Sequence, residues 1–283
     1  MTDSFASRFA ATRAAAGPLV WGLDPSGPLL EQWGLGDTAD GLDRFADIVL
    51  QAATGTIGLV KPQSAFYERH GWRGIRTLTR LTEQARSAGL LVIMDVKRGD
   101  VGSTNDAYAQ AYLGKDAALA ADAITVHPYL GLGAMDAFVS RAHAAGGCVL
   151  VVTRSSNPEG RLIQTAATSS GQPVEAALLS EIGQLNAALA AGELGPVGAV
   201  VGAGYQPGQE PALDLLGMNG LFLAPGVGAQ GATSRDVARV FADCPDRVLP
   251  SASRSLLAAG PDLGRLRAAV AALAAEFRHA LGG

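Results

Sequence analysis

Eight short apolar runs, spread along the chain and separated by segments of a different period, constrain the fold more than any other feature. They are Pro18–Asp24, Ile57–Lys61, Leu90–Val96, Ala123–His127, Cys148–Thr153, Val197–Gly202, Gly220–Ala224 and Arg247–Pro250. The runs are continuous rather than alternating, the pattern of parallel strands covered on both faces. Segments of helical period lie between most of them. Ile75–Ala88 carries Leu78, Leu81 and Ala85 at helical spacing, Leu130–Ala144 is another such segment, and Leu263–Leu281 is an Ala/Leu-rich amphipathic helix. Strand–helix alternation repeated eight times predicts an α/β chain folded as a TIM (β/α)8 barrel, a single domain over residues 1–283. A doubly wound open sheet has the same local pattern, and periodicity does not separate the two.

The length of 283 residues suits one barrel, which runs to about 250 residues or more. No linker, fixed repeat or domain boundary interrupts it. Two stretches exceed a tight loop: Asn157–Gln184, whose second half has helical character, and Pro225–Arg235. Long loops in compact domains are often functional. A net charge of −4 lacks the basic excess of a nucleic-acid binder. It still admits a small anionic substrate, because a site can be basic in an acidic protein. Cys148 and Cys244 form no CxxC and show no metal spacing, so a reducing cytoplasm is expected, with Cys148 a small core residue. Met1–Ala16 has no compact apolar centre, so no signal peptide is expected. The longest apolar runs fall short of the roughly 18 residues a membrane helix needs.

In a TIM barrel the active site lies at the carboxyl ends of the strands. The first run ends in Asp24, the second in Lys61, and the third carries Asp95 and Lys97. Residues i and i+2 of a strand point to one face, so Asp95 and Lys97 are expected to project together into the barrel mouth beside Lys61 and Asp24. Buried charges are costly unless paired. Two acids and two lysines converging there neutralise one another, and the carboxylates favour protonated lysines. Asp100 follows three residues after Lys97. One Asp-x-Lys pair alone fits a structural ion-pair network equally well. Charges ending three consecutive strands favour a catalytic array.

A second constellation follows the seventh run, Pro225-Gly226-Val227-Gly228-Ala229-Gln230-Gly231. Its glycines let backbone N–H groups approach an anion, and a helix starting near Ser234 offers its N-terminus. After the eighth run, Ser251-Ala252-Ser253-Arg254 supplies a guanidinium able to grip a phosphate bidentately. Loops after strands 7 and 8 are where barrel enzymes commonly hold a substrate phosphate. Ser155, Ser156 and Asn157 end the fifth run, where they could read a base edge or simply form a turn. Thr104 reads as a helix N-cap or surface residue, and His127 as a packed polar residue. No His/Cys/carboxylate cluster suggests a metal, and no strand–GxGxxG–helix unit suggests a dinucleotide.

Taken together, these motifs resemble the orotidine 5′-phosphate decarboxylase family. Asp95-Val96-Lys97-Arg98-Gly99-Asp100 resembles its Asp-x-Lys-x-x-Asp signature, Gly22-Leu23-Asp24-Pro25 its first strand, and Val60-Lys61-Pro62-Gln63 its second. The segment Pro225–Gly231 resembles its phosphate loop, with Arg254 where its phosphate arginine stands. The chain length and Ser155-Ser156-Asn157-Pro158 look most like the larger bacterial branch. The resemblance implies loss of carbon dioxide from orotidine 5′-monophosphate to give UMP, with no cofactor and no metal. It implies Lys97 as proton donor to C6, Asp95 beside the departing carboxylate, and Lys61 pairing the acids and touching the ribose. It further implies Asp24 on ribose hydroxyls, Ser156 on the pyrimidine, Gln230 bridging base and phosphate, and Gly228 and Arg254 at the phosphate. The loop after the fifth run is longer than in the shorter branch, which leaves Ser155 and Ser156 as alternatives. In the family the second acid, here Asp100, reaches into the neighbouring subunit's site together with the residue matching Thr104, which implies a homodimer with shared sites. The rival within the superfamily is a magnesium-dependent sugar-phosphate decarboxylase or aldolase. Such enzymes share the signature but resemble this chain less at Lys61. A non-catalytic nucleotide-binding barrel has little use for a proton donor.

Overall fold

The computed structural model describes residues 3–190, 192–204, 213–228 and 231–282. Eight parallel strands close into a barrel in chain order: β1 (Val20–Leu23), β2 (Leu59–Pro62), β3 (Leu91–Arg98), β4 (Ala123–Val126), β5 (Cys148–Arg154), β6 (Val197–Val201), β7 (Phe222–Ala224) and β8 (Val248–Ala252). Closure comes from β8 pairing with β1, Val20 opposite Ser251 and Trp21 opposite Ala252. The open-sheet alternative is thereby excluded. Ser251 and Ala252, expected in the loop, belong to β8 instead.

Each strand is buried along its length, apart from the last two residues of β3, because its two faces meet different cores. One core fills the barrel with Val20, Leu59, Ile93, Leu150, Leu223 and Leu249. The other lies between barrel and helices, where Trp21, Val60, Val92 and Val151 pack against Leu42, Phe45, Leu78, Leu81 and Phe138. This double burial explains why the strands read as unbroken apolar runs.

The helix Phe5–Ala16 stoppers the barrel at the end opposite the strand C-termini. Ser4 caps its N-terminus, and Phe5 and Phe9 enter the inner core. Its Arg8 pairs with buried Asp122 and donates to the Gly146 carbonyl at 3.1 Å. Asp122 Oδ2 in turn accepts the Val92 N–H at 2.8 Å, which ties the stopper to β3. The long segment after β5 contains two short helical turns, Pro158–Gly160 and Arg161–Gln164, and then the helix Val174–Leu189. Cys148 is buried, and burial pushes its thiol up to about 12, as suits a core residue. No helix among the described residues is long and apolar enough to cross a membrane.

Candidate active site

At the C-terminal ends of the strands a cavity of about 520 Å³ opens. It is lined by Asp24, Lys61, Gln63, Asp95 and Lys97 on one side and by Ser155, Ser156, Asn157, Pro225, Gly226, Val227 and Arg254 on the other. Two constellations read separately in the sequence thus share one cavity.

Asp95 is its electrostatic centre. Lys61 Nζ donates to Asp95 Oδ2 at 2.7 Å, and Lys97 Nζ donates to Asp95 Oδ1 at 2.5 Å. Burial pushes the Asp95 carboxyl up, but the two ammonium charges and their hydrogen bonds overcome it and hold the group well below the ordinary carboxylate value. Burial acts on Lys61 in the opposite sense, toward the neutral amine. The charges of Asp95 and Asp24 outweigh it, so Lys61 is held above its ordinary value. The lysines differ in access: the Lys61 side chain is 8% exposed and that of Lys97 38%. Both line the cavity, Lys61 buried in its wall and Lys97 the more open of the two.

Lys97 reaches that position by a different route from the one the i, i+2 spacing suggests. Met94 pairs with Ile124 and Arg98 with Val126, so three residues of β3 stand opposite the single Thr125 of β4. Within this bulge Lys97 adopts φ 43°, in the left-handed region that side chains other than glycine seldom occupy. The side chains of Asp95 and Lys97 meet by virtue of the bulge, not of strand alternation.

Asp24 follows β1. Its Oδ1 is buried and has no hydrogen-bond partner among the described residues, which leaves an acceptor free for a hydroxyl donor from a ligand. Arg254 follows β8 and is exposed, with no carboxylate paired to it among the described residues. Gly22 permits this approach: a Cβ there would lie 2.6 Å from the Ser253 Cβ, so glycine lets the loop after β8 lie against β1.

The loop after β7 differs from expectation in detail. Gly228 has φ 75°, and its N–H donates to the Ala232 carbonyl at 2.9 Å rather than toward the cavity. The Gly231 N–H is held by the Gly228 carbonyl. The helix Ser234–Val240 begins where the sequence places it, but Thr233 and Asp236 close its N-terminus in a capping box. The Asp236 N–H donates to the Thr233 hydroxyl and the Thr233 N–H to the Asp236 carboxylate, which sets a negative charge at this N-terminus, so Arg254 is left as the principal cation for an anion. Gln230 lies outside the described residues.

Ser155 and Ser156 both border the cavity. Ser155 is clasped by Gln164, whose Nε2 donates to its hydroxyl at 2.9 Å and whose Oε1 accepts its N–H at 3.2 Å. Asp100 and Thr104 do not join the cluster. Asp100 Oδ1 accepts the Val101 N–H at 2.8 Å, and Thr104 is exposed within the helix Gly102–Tyr112, whose N-cap is Val101. Of the two readings of Thr104, helix N-cap or surface residue, the structure gives the surface residue. His127 is exposed rather than packed. The partly covered ring loses some hydration, and this, then the charge of Lys97, lowers its affinity for a proton. Among the described residues no group of three His, Cys, Asp or Glu side chains is placed to hold a metal.

Sequence reasoning passed over Thr125 and Gln63. Thr125 is the one polar residue of β4, a signal visible in Ala123-Ile124-Thr125-Val126. Gln63, with its amide nitrogen turned to Asp95, donates to Oδ2 at 2.7 Å. It directly follows the strand that carries Lys61.

The sequence profile of the orotidine 5′-phosphate decarboxylase / HUMPS family matches residues 18–269. The chain is 49% identical over 281 residues to the orotidine 5′-phosphate decarboxylase of Salinispora arenicola, covering 99% of both chains. It is 45% identical over 281 residues to that of Streptomyces coelicolor, again covering 99% of each. A crystal structure from Streptomyces avermitilis assigned to the same activity superposes with a TM-score of 0.93 at 42% identity, covering 100% of this chain and 97% of that one.

Proposed function

This chain belongs to the orotidine 5′-phosphate decarboxylase / HUMPS family and is a carboxy-lyase that makes UMP from orotidine 5′-monophosphate, and we propose that Lys61, Asp95 and Lys97 carry that reaction. The observation that bears most on the proposal is the Asp95 carboxylate held between two ammonium groups at the cavity floor. The pyrimidine C6 is placed against Lys97 Nζ, with the substrate carboxylate beside Asp95. The C6–carboxylate bond breaks and its electron pair stays on C6, in an orbital orthogonal to the ring π system. No electron sink is attached to the ring, so stabilisation falls to the fixed ammonium charge. Lys97 then gives a proton to C6, yielding UMP, and recovers one from solvent. Departure of carbon dioxide relieves the repulsion between Asp95 and the substrate carboxylate.

Binding residues are assigned in the same way. The unpartnered Asp24 oxygen accepts from ribose hydroxyls, and Lys61 contacts the ribose. Ser156, on the cavity wall, reads the base. Arg254 grips the phosphate, with Gly228 shaping the turn beside it and Gln230 spanning base and phosphate. The phosphate lies remote from C6, so its binding energy serves to close the site and exclude water. The reaction needs neither metal nor cofactor in this proposal.

The whole chain acts as one catalytic domain in the cytoplasm, as a homodimer with shared sites. Asp100 and Thr104 stand away from this chain's own cluster, as residues serving a second copy's site would. Exposed apolar side chains on the loops after β3, β4 and β5 (Val101, Tyr129, Leu130 and Ile163) supply a surface for that copy. The test is to offer the purified chain orotidine 5′-monophosphate and, separately, a 3-keto-hexonate 6-phosphate with magnesium. Turnover of the nucleotide alone is expected. Turnover of the sugar phosphate alone overturns the reading in favour of the magnesium-dependent branch.

A further inference from the structure

The bulge in β3 withdraws the N–H groups of Val96 and Lys97 from the ladder with β4, and buried N–H groups need partners. Both donate to one atom, Thr125 Oγ1, each at 3.0 Å. The same hydroxyl donates to Asp95 Oδ1 at 2.8 Å. A hydroxyl has one proton and two lone pairs, so these three bonds exhaust its capacity. Thr125 is 1% exposed and stands on β4, a rigid neighbour of the strand it holds.

We propose that Thr125 is a positioning residue of the decarboxylation. Its hydroxyl fixes in one arrangement the Asp95 carboxylate and the left-handed backbone from which Lys97 projects. The inference rests on the catalytic assignment of Asp95 and Lys97 above. It goes beyond that assignment by naming what sets their relative geometry. Asp95 Oδ1 is shared by Lys97 and Thr125. When Lys97 turns to the substrate, Thr125 still holds that oxygen, so the carboxylate keeps its direction. Thr125 does not border the cavity, so it acts through the two residues it holds and not on the substrate. A valine has nearly the same shape but removes all three bonds at once. A serine keeps them and loses only a methyl group.

The experiment compares Thr125→Val and Thr125→Ser with the unaltered enzyme, reading kcat and KM for orotidine 5′-monophosphate and the Kd of UMP. Misplacement of reacting groups by about 1 Å can cost about 10²-fold in rate, so a fall of that order in kcat is expected for Thr125→Val. KM and the UMP Kd are expected to stay within about threefold, because the base, ribose and phosphate contacts are untouched. Thr125→Ser is expected to recover most of the lost rate. The inference is overturned if Thr125→Val turns over like the unaltered enzyme. It is overturned equally if UMP binding falls in step with kcat, or if the serine variant is as slow as the valine one. If Thr125→Val does not fold, Thr125→Cys replaces it: the weak thiol donor is expected to be slow and serine fast, and equal rates overturn the inference. Absence of turnover by the unaltered enzyme would instead strike the proposed reaction, so the two failures are distinguishable.

Discussion

Lys97 Nζ lies 2.5 Å from Asp95 Oδ1, although the Lys97 backbone, at φ 43°, has left the conformation of a strand. A left-handed backbone at a residue with a long side chain is held only where its surroundings over-determine it. Here the surroundings are the paired N–H groups on Thr125 and, on the other side, Arg98, which Glu68 anchors at 2.5 Å. The arrangement aims an ammonium into the cavity and leaves it partly open to a ligand.

In the proposed mechanism Lys97→Ala removes the charge stabilising the carbanion and the proton donor together. The expected loss in kcat is at least about 10³-fold. UMP should still bind within a few-fold of the unaltered protein, because its phosphate and ribose contacts remain. Steady-state kinetics with titration calorimetry checks both, and near-normal turnover would refute the proton-donor role.

With Arg254 as the proposed phosphate residue, Arg254→Ala deletes a charge-assisted grip on the phosphate. A loss of about 10²-fold or more in kcat/KM is expected for orotidine 5′-monophosphate. The nucleoside orotidine has no phosphate, so its slow turnover should be the same in both proteins. An equal loss on both substrates would place Arg254 elsewhere in the mechanism.

Asp95 is held below its ordinary 3.8 and Lys61 above its ordinary 10.5. The depressed Asp95 contributes stability that is fully present above the unfolded value of 3.8 and is lost as the pH falls through the folded value. The raised Lys61 contributes stability that is fully present below 10.5 and is lost as the pH rises through its folded value. Neither group titrates between roughly pH 5 and 9, so kcat should show no limb from them there. A kcat profile with an apparent pKa near neutrality, unexplained by phosphate ionisation, would contradict the ion-paired assignment.

The proposal of shared sites is open to a complementation test. Lys97→Ala and Asp100→Ala are each expected to be nearly inactive. In a mixed dimer one site keeps both native residues. Random reassortment after mixing should therefore restore about a quarter of the unaltered activity. No recovery under conditions where subunits demonstrably exchange would place Asp100 in its own subunit's chemistry.

The far end of the barrel should affect stability alone. Arg8→Ala leaves Asp122 buried with Arg86, 3.9 Å away, as its remaining cation. A loss of about 1–3 kcal/mol is expected, read as a lower Tm. The kcat should be unchanged, because the helix Phe5–Ala16 and the cavity lie at opposite ends of the strands.

Much of this was legible in the sequence because burial writes itself into composition. Continuous runs such as Cys148–Thr153 mark strands covered on both faces, and their order alone placed Asp24, Lys61, Asp95 and Lys97 at one end of one barrel. Closure itself was not legible, since the pairing of Val20 with Ser251 joins residues at opposite ends of the chain. Nor was the bulge. Asp-x-Lys spacing reads as strand alternation, and only the slipped register against Thr125 shows otherwise. The capping of the helix Ser234–Val240 was present in Thr233-Ser234-Arg235-Asp236 as a cap residue followed three positions later by a carboxylate. That pattern is an argument against an open anion site, and it competes directly with the glycine-rich signal that precedes it.

The most direct measurement is the conversion of orotidine 5′-monophosphate by the purified chain with EDTA present, followed by loss of orotate absorbance and by the UMP formed. Stoichiometric conversion at an unchanged rate with and without the chelator is expected of an Asp–Lys array that works through fixed charge. Failure to convert, or activity restored only by added magnesium, would contradict it.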